Sequence, residues 1–114
     1  MRYVILVYES DAAIAARKDP EFVAAYGAYL RALAEAGVLV AGAGLQTATT
    51  ATTLLLRDGK RQVQDGPYAD TKEELGGFLL IDVPDLDKAL EWAARCPSAS
   101  MGVMEVRPAL PPVA

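Results

Sequence analysis

The chain has 114 residues, 53% of them apolar, with a formal net charge of −4 and no histidine. That length fits one domain burying about two-thirds of its unfolded surface without metal or disulfide staples, and the apolar content excludes disorder. With no basic run beyond two residues, the chain lacks the clustered cations that nucleic acid demands, and the apolar run near its start, Tyr3 to Tyr8, falls far short of the ~20 residues of a membrane span.

In chain order, "RYVILVY" (2–8) is rich in β-branched and aromatic residues and reads as a strand buried on both faces. Glu9 and Asp11 follow at once and no basic region precedes it, so it is not expected to be a signal peptide. Ser10 to Lys18 suggests one or two helical turns. Asp19-Pro20 then supplies an N-cap with Pro at the first helical position. Phe22, Tyr26, Leu30 and Leu33 share one face of the helix that follows, and Gly37 ends it. "VLVAG" (38–42) predicts a second strand. "TTLLLRDGKRQVQ" (52–64) predicts a hairpin turning at Asp58-Gly59, which pairs Arg57 with Lys60, Leu55 with Gln62 and Leu54 with Val63 in a half-buried ribbon. "GFLLIDV" (77–83) is the next strand. Asp85 caps a second long helix with Leu86, Ala89, Leu90 and Ala93 on its inner face, and Cys96-Pro97 stops it. "GVMEVR" (102–107) is the last strand.

This order gives two strand-helix-strand halves with a hairpin between them. It predicts an α+β, ferredoxin-like split βαβ domain over residues 1–108, with an antiparallel sheet and two main helices on one face. Residues 109–114 form a Pro-rich tail. Two helices cover only one face of a sheet, so a homodimer is expected to hide the other.

The lack of histidine removes the usual general base near neutral pH, His-based zinc sites, and Ser-His or Cys-His pairs. Chemistry would fall to carboxylates, Tyr, Lys, Arg or a bound cofactor, and neither cofactor nor metal is indicated. Cys96 is the only cysteine, so no intramolecular disulfide forms, and a cytoplasmic location is the default. "GAGLQT" (42–47) has Thr47 where a dinucleotide fingerprint needs its third glycine, and a strand rather than a helix follows. Lys72, Glu73 and Glu74 diverge on one turn. Asp70 and Glu73 have capping-box spacing with Gly76 as a stop, which predicts a solvated helical turn.

Asp65-Gly66-Pro67-Tyr68 is the strongest candidate for site work. A turn Asp ordinarily accepts the N–H two residues on, and here that residue is Pro67, which has none. Asp65 must bond to Tyr68 or beyond, to distant groups, to water or to a ligand. Either it ties the loop to the sheet or it serves a site as acid, base or anchor. Tyr8, Tyr26, Tyr68 and Arg107 are weaker ligand-binding candidates, with Arg107 able simply to pair with Glu105 or Asp82.

"RDGK", "VQDGPYADTKEELGGFLLIDVPDLDKALEWAARCP" and "MEVRP" together resemble the YCII-related proteins, and more narrowly their DGPF-motif subgroup, with Tyr68 in place of the Phe. The resemblance implies a ferredoxin-like homodimer with sheets meeting across the interface. It also implies kinship with muconolactone isomerase-like and dehalogenase-like enzymes, and gene proximity to extracytoplasmic-function sigma factors. No activity is settled for the subgroup. The His-Asp dyad proposed for YCII proteins proper cannot be carried over to a chain without histidine.

Two functions follow as expectations. One is a small-molecule pocket bordered by Tyr8, Tyr26, Asp65 and Tyr68, enzymatic or not. The other is a regulatory or interaction module that binds a sigma-factor-related protein partner without chemistry.

Overall fold

The structure, a computed structural model, describes residues 1–112. Strand β1 (Arg2–Glu9) alternates strictly: Tyr3, Ile5, Val7 and Glu9 are buried on one face, while Val4, Leu6 and Tyr8 are only half-buried on the other. The run is thus covered on one side, not on both as expected, because both long helices pack on the same face.

Strands β2 (Leu39–Gly44), β5 (Glu74–Asp82) and β6 (Gly102–Pro108) complete a four-stranded sheet in the order β2-β5-β1-β6, all pairs antiparallel. With the intervening ribbon set aside, this is the ferredoxin-like order the sequence predicts. Helices α2 (Pro20–Glu35) and α3 (Leu86–Arg95) pack on the inner face over Tyr3, Ile5, Val7, Leu79 and Ile81. The N-caps are the expected ones: Asp19 accepts from the Glu21 amide at 3.0 Å and Asp85 from the Lys88 amide at 2.9 Å. A short helix α1 (Asp11–Ala16) precedes α2, capped by Ser10. Just past β6, the Ala109 amide still donates to the Arg2 carbonyl at 2.9 Å. The last two tail residues, 113 and 114, lie outside the described residues.

Several details differ from the sequence reading. In α2, Tyr29 joins Leu33 in the core, while Tyr26 and Leu30 are partly buried beside it. In α3, Ala89 and Ala93 are buried but Leu86 and Leu90 stay nearly half exposed. The helix is rotated so that its small residues face β1 and β6, while Trp92 reaches α2. There the Tyr29 hydroxyl donates to the Trp92 carbonyl at 2.8 Å, and the two rings lie 6.5 Å apart. The hairpin β3 (Thr52–Arg57) and β4 (Lys60–Asp65) has the expected register, and Asp58 and Gly59 both take positive φ as a type I′ turn requires. It forms its own two-stranded sheet, however, and Leu54, Leu56 and Val63 are 55%, 60% and 57% exposed, so the ribbon is not half-buried within the chain.

The helical turn expected at Asp70–Gly76 does not form. Glu74 already pairs with Glu9, and strand β5 runs through Gly76. Sheet pairing overrides the capping-box spacing here. The ladder slips by one residue between Val7 and Tyr8, with Gly76 as the extra residue of a β-bulge.

Candidate functional site

The inward phase of β1 ends on a charge. Position 9 follows Tyr3, Ile5 and Val7 on the buried face, so the Glu9 carboxylate enters the protein and is only 6% exposed. A buried carboxylate needs a partner. It has Arg17, the residue that closes α1 and lies back across the strand end. Arg17 Nη2 donates to Glu9 Oε1 at 2.6 Å, and Nε donates to Oε2 at 3.3 Å. The same guanidinium donates to the Leu45 carbonyl at 2.7 Å and to the Gly76 carbonyl at 3.3 Å. One side chain thereby joins the ends of β1, β2 and β5. Glu9, which accepts its hydrogen bonds, holds the Arg17 guanidinium above its ordinary pKa, and the charge of Glu74 adds to this.

This ion pair lies at the polar end of a groove of about 760 Å³ between α2 and the β2–β5 side of the sheet. Phe22, Tyr26 and Leu30 from α2 and Leu39 and Leu79 from the sheet make its walls largely apolar. Tyr26 sits in an aromatic row, 5.9 Å from Phe22 and 6.1 Å from Tyr29 between ring centres. Its hydroxyl accepts from the Cys96 thiol at 3.5 Å and keeps its own proton for another acceptor. Burial, then the bond to Cys96, pushes the Tyr26 pKa well above the ordinary tyrosine value, so this hydroxyl is a donor at any physiological pH. Burial likewise pushes the Cys96 thiol up, as suits an inert packing residue. The groove therefore offers an apolar slot of ligand-binding size with two kinds of hydrogen-bond donor at its margin.

The residues singled out from the sequence do not converge. Tyr26 lines this groove. Tyr8 lines a second concavity of about 660 Å³ that adjoins the groove at Leu45 and Gln46, together with Pro67, Asp70, Thr71 and Glu74. Tyr68 is 82% exposed and lines neither. Asp65 ends β4 opposite Thr52 and is exposed. Among the described residues no hydrogen bond reaches its carboxylate. The loop is held instead by backbone: the Gly66 amide donates to the Ala51 carbonyl at 2.8 Å, and Thr53 Oγ1 donates to the Gly66 carbonyl at 2.8 Å. Gly66 has φ +99°, a conformation that glycine tolerates best. Arg107 pairs with Glu105 at 2.5 Å near the end of β6, away from both concavities. Among the described residues no cluster of three or more His, Cys, Asp or Glu side chains is arranged to hold a metal, and no helix is long and apolar enough to cross a membrane.

Glu9 and Arg17 were absent from the sequence candidates. The signal for Glu9 was present, as the charged residue in phase with Tyr3, Ile5 and Val7. Nothing in the sequence points from Arg17 to Glu9, since their contact depends on the bend between β1 and α1.

Comparison with known proteins agrees with this architecture. An uncharacterized protein of Rhizobium meliloti (strain 1021) is 40% identical over 113 residues, covering 95% of this chain and 91% of its own. The 5-chloro-2-hydroxyhydroquinone dehydrochlorinase TftG of Burkholderia phenoliruptrix AC1100, solved in complex with 2,5-dihydroxybenzoquinone, shares the fold. Its TM-score is 0.58 at 19% identity, with 96% of this chain and 94% of that one covered. Residues 1–111 match the YCII-related domain, and the chain belongs to that family.

Proposed function

We propose that the protein binds a small, largely apolar ring compound in the groove between α2 and the sheet, with an oxygen of the ligand at the Arg17–Tyr26 end. One observation carries this reading. A groove of about 760 Å³ with apolar walls ends at a buried Glu9 paired with a half-buried Arg17, beside a tyrosine hydroxyl that stays protonated. The Asp65-Gly66-Pro67-Tyr68 loop, on which we place the chain in the DGPF-motif subgroup, serves chiefly to shape the chain between β4 and β5. The complex of the fold neighbour TftG supports an oxygenated six-membered ring as the first class of probe.

The test is a thermal-shift and NMR screen with hydroquinone, catechol and related neutral rings. Gly27 lines the groove from mid-helix, and a Cβ there would meet only the Arg31 Nη1 tip, at 3.4 Å. Gly27→Leu therefore fills the groove without disturbing the core. Binding should disappear in that variant. Binding that survives Gly27→Leu but is lost on substitution of Tyr8 or Pro67 would move the site to the second concavity.

We also propose that a second copy of the chain covers the outer face of the sheet. The sequence expectation of a homodimer gains support from that face: Val4, Leu6, Phe78, Leu80 and Val103 lie there with no helix of the described chain over them.

A further inference from the structure

We propose that Glu9 sets the charge of the ligand: the groove accepts a carbonyl or un-ionised hydroxyl oxygen and refuses a carboxylate or phenolate. The inference rests on the groove being the binding site and adds a selection rule to it.

A half-buried arginine at the end of an apolar groove would ordinarily suggest an anion site. Here the guanidinium is already committed. Four of its five N–H groups point at Glu9, Leu45 and Gly76, all of them acceptors within the protein. The remaining N–H, on Nη1, suits a single neutral acceptor and cannot form the two-pronged clamp that holds a carboxylate.

The charge count points the same way. Glu9 and Arg17 are the ionic side chains of the lining, and they cancel. Glu74, whose carboxylate accepts from the Ala48 amide at 2.8 Å, adds a further negative charge that Arg17 senses. Tyr26 and Cys96 remain neutral. An anionic ligand would thus meet a net negative surround. Winning Arg17 for itself would require leaving Glu9 buried and unpaired, which is strongly unfavourable. The arrangement is built rather than incidental, since a Cβ at Gly76 would stand 1.8 Å from Glu9 Oε1. The rule also separates this chain from the ligand of its fold neighbour. 2,5-Dihydroxybenzoquinone is a vinylogous acid, ionised at neutral pH, and should bind this protein more weakly than hydroquinone does.

The experiment compares benzamide with benzoate, a neutral and an anionic ligand of nearly the same shape, on the full chain and on Glu9→Gln, by calorimetry or ligand-observed NMR. Wild type should prefer benzamide by about tenfold or more. In Glu9→Gln the preference should vanish or invert, because Arg17 then lacks its counter-charge. Should that variant fold poorly, 4-nitrophenol reports on wild type alone: its phenol ionises near neutrality with a change of colour, and when bound it should ionise at a higher pH than when free. Benzoate binding wild type as tightly as benzamide, or bound 4-nitrophenol ionising at or below the free pH, would overturn the charge rule and leave the groove standing. If none of these probes binds wild type or Glu9→Gln, or if Gly27→Leu leaves their binding unchanged, the groove reading fails and takes the rule with it.

Discussion

Gly76 leaves empty the space that the Glu9 carboxylate fills. A Cβ built on Gly76 would lie 1.8 Å from Glu9 Oε1 and 2.5 Å from its Cδ. The β-bulge in β5, the buried acid at the end of β1 and the arginine after α1 therefore form one unit. Gly76→Ala is expected to expel the carboxylate from its seat and break its pairing with Arg17. The cost should be about 2 kcal/mol, below the scale for breaking a fully buried ion pair because Arg17 is half-buried, read as a lower urea midpoint with unchanged slope. Arg17→Met should fall in the same range and add little to Gly76→Ala in the double variant, because the two act through one contact.

Gly27 behaves in the opposite way. It sits in the middle of α2, where glycine costs about 0.5–1 kcal/mol relative to alanine, and a Cβ there meets only a mobile arginine tip. Gly27→Ala should stabilise the protein by that amount in urea melts while weakening any groove ligand. A stabilising substitution that harms binding is what a position kept open for a ligand would show.

The Asp65 loop supplies a contrast between neighbours. The Asp65 carboxylate holds nothing among the described residues, whereas the Gly66 backbone is bonded at both ends and has φ +99°. Asp65→Asn should change stability by less than about 0.5 kcal/mol. Gly66→Ala should cost on the order of 1 kcal/mol or more through left-handed strain. Differential scanning calorimetry of the two variants decides between the carboxylate and the backbone as the anchor of the loop.

Burial raises the Cys96 thiol above its ordinary 9.0 and Tyr26 above its ordinary 10.0. Each group is thus a weaker acid in the folded chain than in the unfolded one. The sign follows directly: the stabilisation is complete below the unfolded values and is lost as pH rises past them, where only the unfolded chain releases the protons. Stability should be level on the acid side of the thiol's ordinary value and decline on the alkaline side, with a shallower decline in Cys96→Ala. A Cys96 thiol held protonated should also react slowly with a disulfide reagent until the protein is unfolded.

The outer sheet face yields an oligomer prediction. Leu6 lies at its centre on β1, opposite Phe78 and Glu105. Sedimentation should find a wild-type dimer, and Leu6→Lys should give folded monomers. A monomeric wild type at all concentrations would remove the second copy from the account of this face.

The fold was legible because its signals were local and mutually consistent. The apolar strands, the Asp19-Pro20 and Asp85 caps and the Asp58-Gly59 turn each fixed an element, and their order selected the topology. The failures came where long-range pairing outweighed local spacing. Asp70 and Glu73 are spaced for a helical cap, yet β1 recruits Glu74 and Gly76 into the sheet. Leu54 and Val63 share a face as expected, but no sequence rule says whether the ribbon lies against the core. The site was less legible. Asp65 drew attention through what its turn forbids, while the buried charge was Glu9, whose place in the strand alternation was readable from the start. Arg17 was not, because eight residues of chain had to fold back before it met its partner.

The most direct measurement is a residue-resolved NMR titration of wild type and Gly27→Leu with hydroquinone. Binding in the groove predicts shifts at Gly42, Gly44, Tyr26 and the Arg17 side chain that disappear in Gly27→Leu. Shifts confined to the Tyr8, Pro67 and Thr71 surface, or undiminished in Gly27→Leu, would contradict it.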